Sequence, residues 1–172
     1  PCWGYLGRIA RRKGISTVLA AWNRARFSRP DTATLVFAGP VETPGMLEAI
    51  ERTPNTVYIG PLDRQARWQY LRALDGLVLM PRFGENFANV VGEAVAAGTP
   101  ALVSDAVGAA AYLDQTQAII VDRDTLTEYF SGERRPPRPN PLPPSLLPAA
   151  VARAQHDIYE EILLGFKGAS AP

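Results

Sequence analysis

The chain has 172 residues, 47% of them hydrophobic, and a formal net charge of +1 at pH 7. That length suits one ordinary globular domain with its own core, the near-zero charge argues against a dedicated nucleic-acid binder, and no run approaches the roughly 18 consecutive apolar residues of a membrane span. The single cysteine, Cys2, excludes an internal disulfide, and with one histidine, His156, a His/Cys metal site is not expected.

The chain opens at Pro1 without an initiator Met and runs straight into strand-like residues, so it is expected to be a piece of a longer polypeptide. Trp3 to Ile9 reads as a strand, and Ile15 to Arg26, with Val18, Leu19, Trp22 and Ala25 on one face, as a helix. Residues 1–30 carry Arg8, Arg11, Arg12, Lys13, Arg24, Arg26 and Arg29 and no acid. Either an anion meets this end, or it is a solvated basic face; Arg24, Arg26 and Arg29 also fall near a helix end, where cations are favoured. A second strand, Thr34 to Ala38, is closed by Gly39-Pro40 and followed by a short helix around Met46 to Arg52. Val57 to Ile59 is the third strand, Gln65 to Ala73 a helix, and Gly76 to Met80 a continuous apolar strand. Asn89 to Ala97 is a helix stopped by Gly98 and Pro100. Ala101 to Ser104 and Ala118 to Val121 supply two more strands. Strands apolar on both faces that alternate with helices imply a parallel sheet covered on each side. The expected fold is therefore α/β, a Rossmann-like doubly wound parallel sheet, over residues 1–130. Residues 131–148 hold seven prolines after Arg135 and form a linker or extended arm. Helical periodicity resumes from Leu147 to Phe166, giving a C-terminal segment, 149–172, that packs on this domain or on a missing N-terminal one.

In an open parallel sheet, ligands bind beyond the carboxyl ends of the strands. After the first strand comes Gly7-Arg8-Ile9-Ala10-Arg11-Arg12-Lys13-Gly14, where a planar guanidinium and a flexible ammonium would suit a diphosphate, the other reading being a solvated loop. After the fourth strand, the helix starting at Asn89 presents free amides and a positive dipole end to an anion. Glu85 and Glu93 stand eight positions apart across that helix start. A carboxylate can accept two neighbouring hydroxyls of a ribose or hexose. Glu93 could equally complement the helix N-terminus alone.

Gly7-Arg8 with Lys13-Gly14, Phe37-Ala38-Gly39, Val57-Tyr58-Ile59-Gly60, Glu85 to Ala94, Gly98-Thr99-Pro100, and Ser104-Asp105 with Gly108 occur in this order. Together they resemble the C-terminal, donor-binding domain of retaining GT-B glycosyltransferases, the group 1 type with an E-x7-E motif, over roughly residues 3–121. The resemblance extends faintly to Ile158-Tyr159-Glu160 in the last helix. It implies a nucleotide-diphosphate sugar as donor substrate, transfer with retention, no metal or other cofactor, and a glycan or lipid-linked acceptor held by a missing N-terminal domain. It further implies that Arg8 and Lys13 contact the donor pyrophosphate, Glu85 the transferred sugar and Glu93 the ribose. Phe87, Ala88, Asn89 and Val90 would bring backbone amides to sugar and phosphates. Gly60 to Leu62 would border the base, and Gly7 and Gly39 would keep the loops open. Nucleic acid is not an expected partner; a cytoplasmic location is, with peripheral membrane contact left open.

Three departures from the family pattern stand out. Ala88 replaces a usual glycine, Gly108-Ala109-Ala110-Ala111-Tyr112 replaces a Gly-Gly followed by Glu, and prolines replace a helical stretch in 131–148. They keep a second reading open, a catalytically inactive nucleotide-sugar-binding or interaction module of the same fold.

Overall fold

Strand β1 (Cys2–Leu6) is buried from Trp3 onward, and a segment with apolar side chains on both faces can only sit in the middle of a covered sheet. It pairs in parallel with β2 (Thr34–Ala38), Trp3 opposite Leu35, and on its other side with β4 (Gly76–Leu79), Trp3 opposite Gly76. With β3 (Thr56–Tyr58), β5 (Ala101–Val103) and β6 (Ala118–Ile120), the sheet has six parallel strands in the order β3-β2-β1-β4-β5-β6. The computed structural model describes residues 1–28 and 32–168. Arg29 of the basic stretch lies outside them.

The expected α/β, Rossmann-like architecture is what the chain adopts. Helices α1 (Ile15–Arg24), α2 (Pro44–Glu51), α3 (Arg64–Arg72) and α4 (Asn89–Ala96) follow β1 to β4 in turn, a 3-10 turn (Gly108–Ala111) joins β5 to β6, and α5 (Arg123–Ser131) follows β6. Several bounds differ from expectation. The first strand ends at Leu6 rather than Ile9, because the chain turns there to carry the basic loop, and the first helix gives way at Ala25 to a 3-10 turn, Ala25–Phe27. The third strand is Thr56–Tyr58, one residue earlier than expected.

Helix α5 is absent from the sequence reading. Its signals are short: Asp122 caps the start by accepting from the Thr125 amide at 2.7 Å, and Gly132 ends it in a left-handed conformation, φ 87°. Between these caps only Leu126, Tyr129 and Phe130 are buried and apolar, so periodicity alone hardly marks it. The packing does. The Phe130 ring meets Trp22 of α1 edge-on with centroids 5.0 Å apart, and Trp3 of β1 at 5.4 Å. At the surface Arg24 of α1 bonds Asp124 of α5 at 2.7 Å, a structural use for one of the basic residues.

Two compact units are distinguished, Pro1–Pro141 and Leu142–Pro172. In the first, the proline-rich segment has no helix or strand up to Pro141 and is tied down by Gln117. Its amide nitrogen donates to the Asn140 and Pro141 carbonyls at 3.0 and 2.6 Å. The second holds a 3-10 turn, Pro144–Leu146, and α6 (Pro148–Gly168). No described helix is long and apolar enough to cross a membrane.

Because Phe130 is the contact that fastens α5 to both α1 and β1, Phe130→Ala is expected to lower unfolding free energy by about 3–5 kcal/mol. Urea denaturation followed by tryptophan fluorescence measures it, and a loss below about 1 kcal/mol would show that α5 is not part of the core.

Candidate functional site

The strand order reverses between β1 and β4, and a crevice opens beyond the carboxyl ends of the strands there. Two backbone contacts fix its floor. Gly14 follows the 3-10 turn Arg11–Lys13 at φ 73°, and a Cβ built on it would lie 1.4 Å from the Met80 carbonyl oxygen, so only glycine lets this loop seat on the end of β4. The Arg82 amide then donates to the Arg12 carbonyl at 3.0 Å. Beside them the Tyr5 hydroxyl donates to the Arg8 carbonyl at 2.8 Å, holding the basic loop from below. Burial, aided by the nearby charge of Glu85, pushes the Tyr5 phenol far above its ordinary pKa, so it remains a hydrogen-bond donor.

These contacts bring Lys13 onto Glu85, with which it makes a short ion pair; the Lys13 side chain is 13% exposed, against 56% for Arg8. Glu85 is itself held by its backbone, its amide donating to the Ala106 carbonyl at 2.8 Å and its carbonyl accepting from Gly108 at 2.9 Å. Gly108 is required at this junction, since a Cβ would meet the Asn86 carbonyl oxygen at 2.4 Å. Arg8 and Arg12 each reach one oxygen of Glu42 at 3.5 Å. Both side chains of the Arg8–Glu42 pair are about half exposed, a weak pairing of about 0–1 kcal/mol.

Across the crevice, α4 starts at Asn89; the Val91 amide bonds the Ala88 carbonyl at 2.8 Å, and no side chain caps the amides ahead of it. Glu93 lies one turn further along, where Arg67 of α3 meets it, Nη1 donating to both carboxylate oxygens at 3.1 and 3.3 Å. Helix α3 is set by its N-cap Asp63, which accepts from the Ala66 amide at 2.8 Å.

The cleft has a volume of about 390 Å³. Of the residues expected from sequence, Gly7, Arg8, Lys13, Gly39, Leu62, Glu85, Ala88, Asn89, Val90 and Glu93 line it. Two do not. The Phe87 ring turns away to pack against Tyr112, centroids 6.0 Å apart, while Gly60, at φ 79°, serves the fold by accepting from the Gly39 amide at 2.9 Å. Gly39 has a tight structural constraint of its own, since a Cβ there would lie 1.9 Å from the Gly7 carbonyl oxygen. Arg67, Tyr5, Leu6 and Leu79 also line the cleft and were not found from sequence. Arg67 is one of three arginines in α3, and nothing in the spacing told which would face inward. Among the described residues, no three His, Cys, Asp or Glu side chains gather as a metal site would require. The cleft thus offers cations and helix amides to an anion in its middle, and a carboxylate on either side to hydroxyl groups.

Residues 1–131 match the family described as glycosyl transferases group 1. The glycogen synthase of Mycobacterium tuberculosis is 34% identical over 126 residues, covering 70% of this chain and 30% of that protein, so the chain spans under a third of its curated relative. Among solved structures, HepE from Anabaena in complex with UDP-glucose superposes with a TM-score of 0.63 at 18% identity, over 76% of this chain and 38% of that one. The C-terminal domain of a glycosyl transferase group 1 family protein, LpcC, from Francisella tularensis superposes with a TM-score of 0.61 at 21% identity, covering 74% of this chain and 71% of that one.

One residue of the cleft carries strain. Ala88, the N-cap of α4, sits at φ 52° and ψ 73°, a left-handed conformation that costs an L-residue about 1–2 kcal/mol and glycine little. Ala88→Gly removes that strain at the expense of a floppier unfolded chain, about 0.4–1 kcal/mol. The net expectation is a gain of up to about 1 kcal/mol in denaturant unfolding; a clear loss would mean that Ala88 rests there unstrained.

Proposed function

Because the chain belongs to the glycosyl transferases group 1 family, we propose that it is the donor-binding domain of a retaining glycosyltransferase, taking a nucleotide-diphosphate sugar and working without a metal. The supporting observation is the convergence of Arg8, Lys13, the start of α4, Glu85 and Glu93 on one cleft at the strand-order reversal. In this reading the diphosphate lies between Arg8, Lys13 and the amides of Asn89 and Val90. Glu85 holds hydroxyls of the sugar, and Glu93 holds the ribose. Leu62 and the adjoining main chain border the base.

The chemistry asks for cations where this cleft has them. When the bond between the anomeric carbon and the phosphate oxygen breaks, the electron pair stays with the diphosphate, and negative charge grows on it as positive character grows on the sugar. Preorganised donors at such a leaving group are typically the largest catalytic contribution. The Lys13 ammonium, 13% exposed and rooted beside the Gly14 turn, would pass from Glu85 to the diphosphate as the sugar hydroxyls take up that carboxylate. Glu85 is bound to a cation and set beside the helix start, which favours an orienting role over a nucleophilic one. The acceptor, a glycan or lipid-linked group, would come with an N-terminal domain, and the protein would work in the cytoplasm or at a membrane surface.

A second reading, a module that binds a nucleotide sugar without transferring it, draws on the strained Ala88 and on Ala109–Ala111 standing where the family carries an acid. A parent protein that binds a nucleotide sugar yet neither hydrolyses nor transfers it would favour that reading.

Titration calorimetry of the chain with UDP, GDP and ADP tests the donor site. UDP is the first choice, since HepE was solved with UDP-glucose. One of the three is expected to bind, and Arg8→Ala or Glu93→Ala to weaken it about 10- to 100-fold, the worth of a charge-assisted hydrogen bond of ~1.5–3 kcal/mol. Failure of the unaltered chain to bind any of them would sink the proposal.

A further inference from the structure

Arg67 and Glu93 form the second ion pair of the cleft, and its geometry is particular. One nitrogen, Nη1, bonds both carboxylate oxygens at 3.1 and 3.3 Å, while Nε is buried and finds no acceptor among the described residues. An ionised carboxylate offers about four lone-pair sites, two on each oxygen. Arg67 takes up part of this capacity on each oxygen, and each oxygen can still accept from a ligand hydroxyl. A buried N–H without a partner costs about 1–3 kcal/mol. The side chain therefore holds Nη1 across Glu93 although its own bonding is incomplete.

We propose that Arg67 is the positioning residue of the ribose site: it holds the Glu93 carboxylate in place so that the acceptor capacity left on its oxygens is presented to the ribose hydroxyls. This rests on the donor-site reading above. The guanidinium reaches Glu93 from α3, a different element from α4, so the carboxylate is gripped from outside its own helix. A glutamate held only by its own backbone would have three side-chain torsions free, and the entropy of fixing them would be lost on each binding event. With the torsions fixed beforehand, the site discriminates against a nucleotide lacking one hydroxyl, because the unmatched lone pair is then left in a partly buried cleft.

The test is a double-mutant cycle read by calorimetry, with UDP, GDP or ADP, whichever binds the unaltered chain best, and the 2′-deoxy form of the same nucleotide. Arg67→Met is expected to weaken the ribonucleotide about 5- to 20-fold and the 2′-deoxynucleotide less than 2-fold, so that discrimination between them collapses. In a Glu93→Gln background Arg67→Met should add nothing, and Arg67→Lys should restore only part of the discrimination, since an ammonium lacks the planar fork. Equal weakening of both nucleotides by Arg67→Met, or full additivity with Glu93→Gln, overturns the inference while leaving the donor site standing. If Glu93→Gln itself leaves ribonucleotide binding unchanged, or no nucleotide binds at all, the donor-site reading fails and the inference with it.

Discussion

The site depends on one close contact, the Gly14 backbone lodged against the Met80 carbonyl, where no side chain could be accommodated. A loop leaving β1 and a loop leaving β4 would otherwise be two independent surface segments. Pressed together, they give Lys13 an anchored base and place it over Glu85 rather than in solvent. Tyr5 adds a second fixed point under Arg8, and its raised pKa keeps the hydroxyl donating through any ordinary pH. The parallel sheet supplies the crevice, and this contact decides which charges face into it.

Both carboxylates of the cleft are paired within it. Lys13 meets Glu85 and Arg67 meets Glu93, so each carboxylate faces a cation of its own. Partly exposed pairs of this kind contribute little to stability, typically under about 1 kcal/mol. Glu42, which reaches Arg8 only at 3.5 Å, competes poorly with the two or more charges of a diphosphate. The value of the pairs on the proposed reading is geometric: the side chains are held near the positions in which they would meet a ligand, at small energetic cost.

The fold was legible because the strands announce themselves. Leu77, Val78 and Leu79 form a run with no polar face, as do Ala101, Leu102 and Val103, and only a covered parallel sheet tolerates such runs. Helix α5 was not legible, since its two caps, Asp122 and Gly132, lie outside the helix and its Phe130 anchor is recognisable only against Trp22 and Trp3, far away in sequence. The same limit applied to the cleft. Gly7, Arg8, Lys13, Glu85 and Glu93 lie in segments whose position after a strand or at a helix start points toward the crevice, whereas Arg67 sits mid-helix and is singled out only by its distance to Glu93. Phe87 and Gly60 do not line the cleft: the Phe87 ring packs on Tyr112, and the Gly60 carbonyl accepts from the Gly39 amide.

The pairing of both carboxylates also restricts what the cleft can hold. Inorganic phosphate could draw Lys13 and Arg8 to itself, but Glu85 would then lose its cation and stand beside an anion, a like-charge contact in a partly desolvated place. A ligand that brings hydroxyl donors along with its negative charge removes that conflict, because the hydroxyls take over the carboxylate that the lysine leaves. Arg67, which lines the cleft beside Glu93, need not leave at all, since each carboxylate oxygen can still accept from the ligand. On the proposed reading, two carboxylates around a cationic centre suit a molecule with a charged middle and hydroxyl groups toward each end, the chemical outline of a nucleotide-diphosphate sugar, better than either half of it alone.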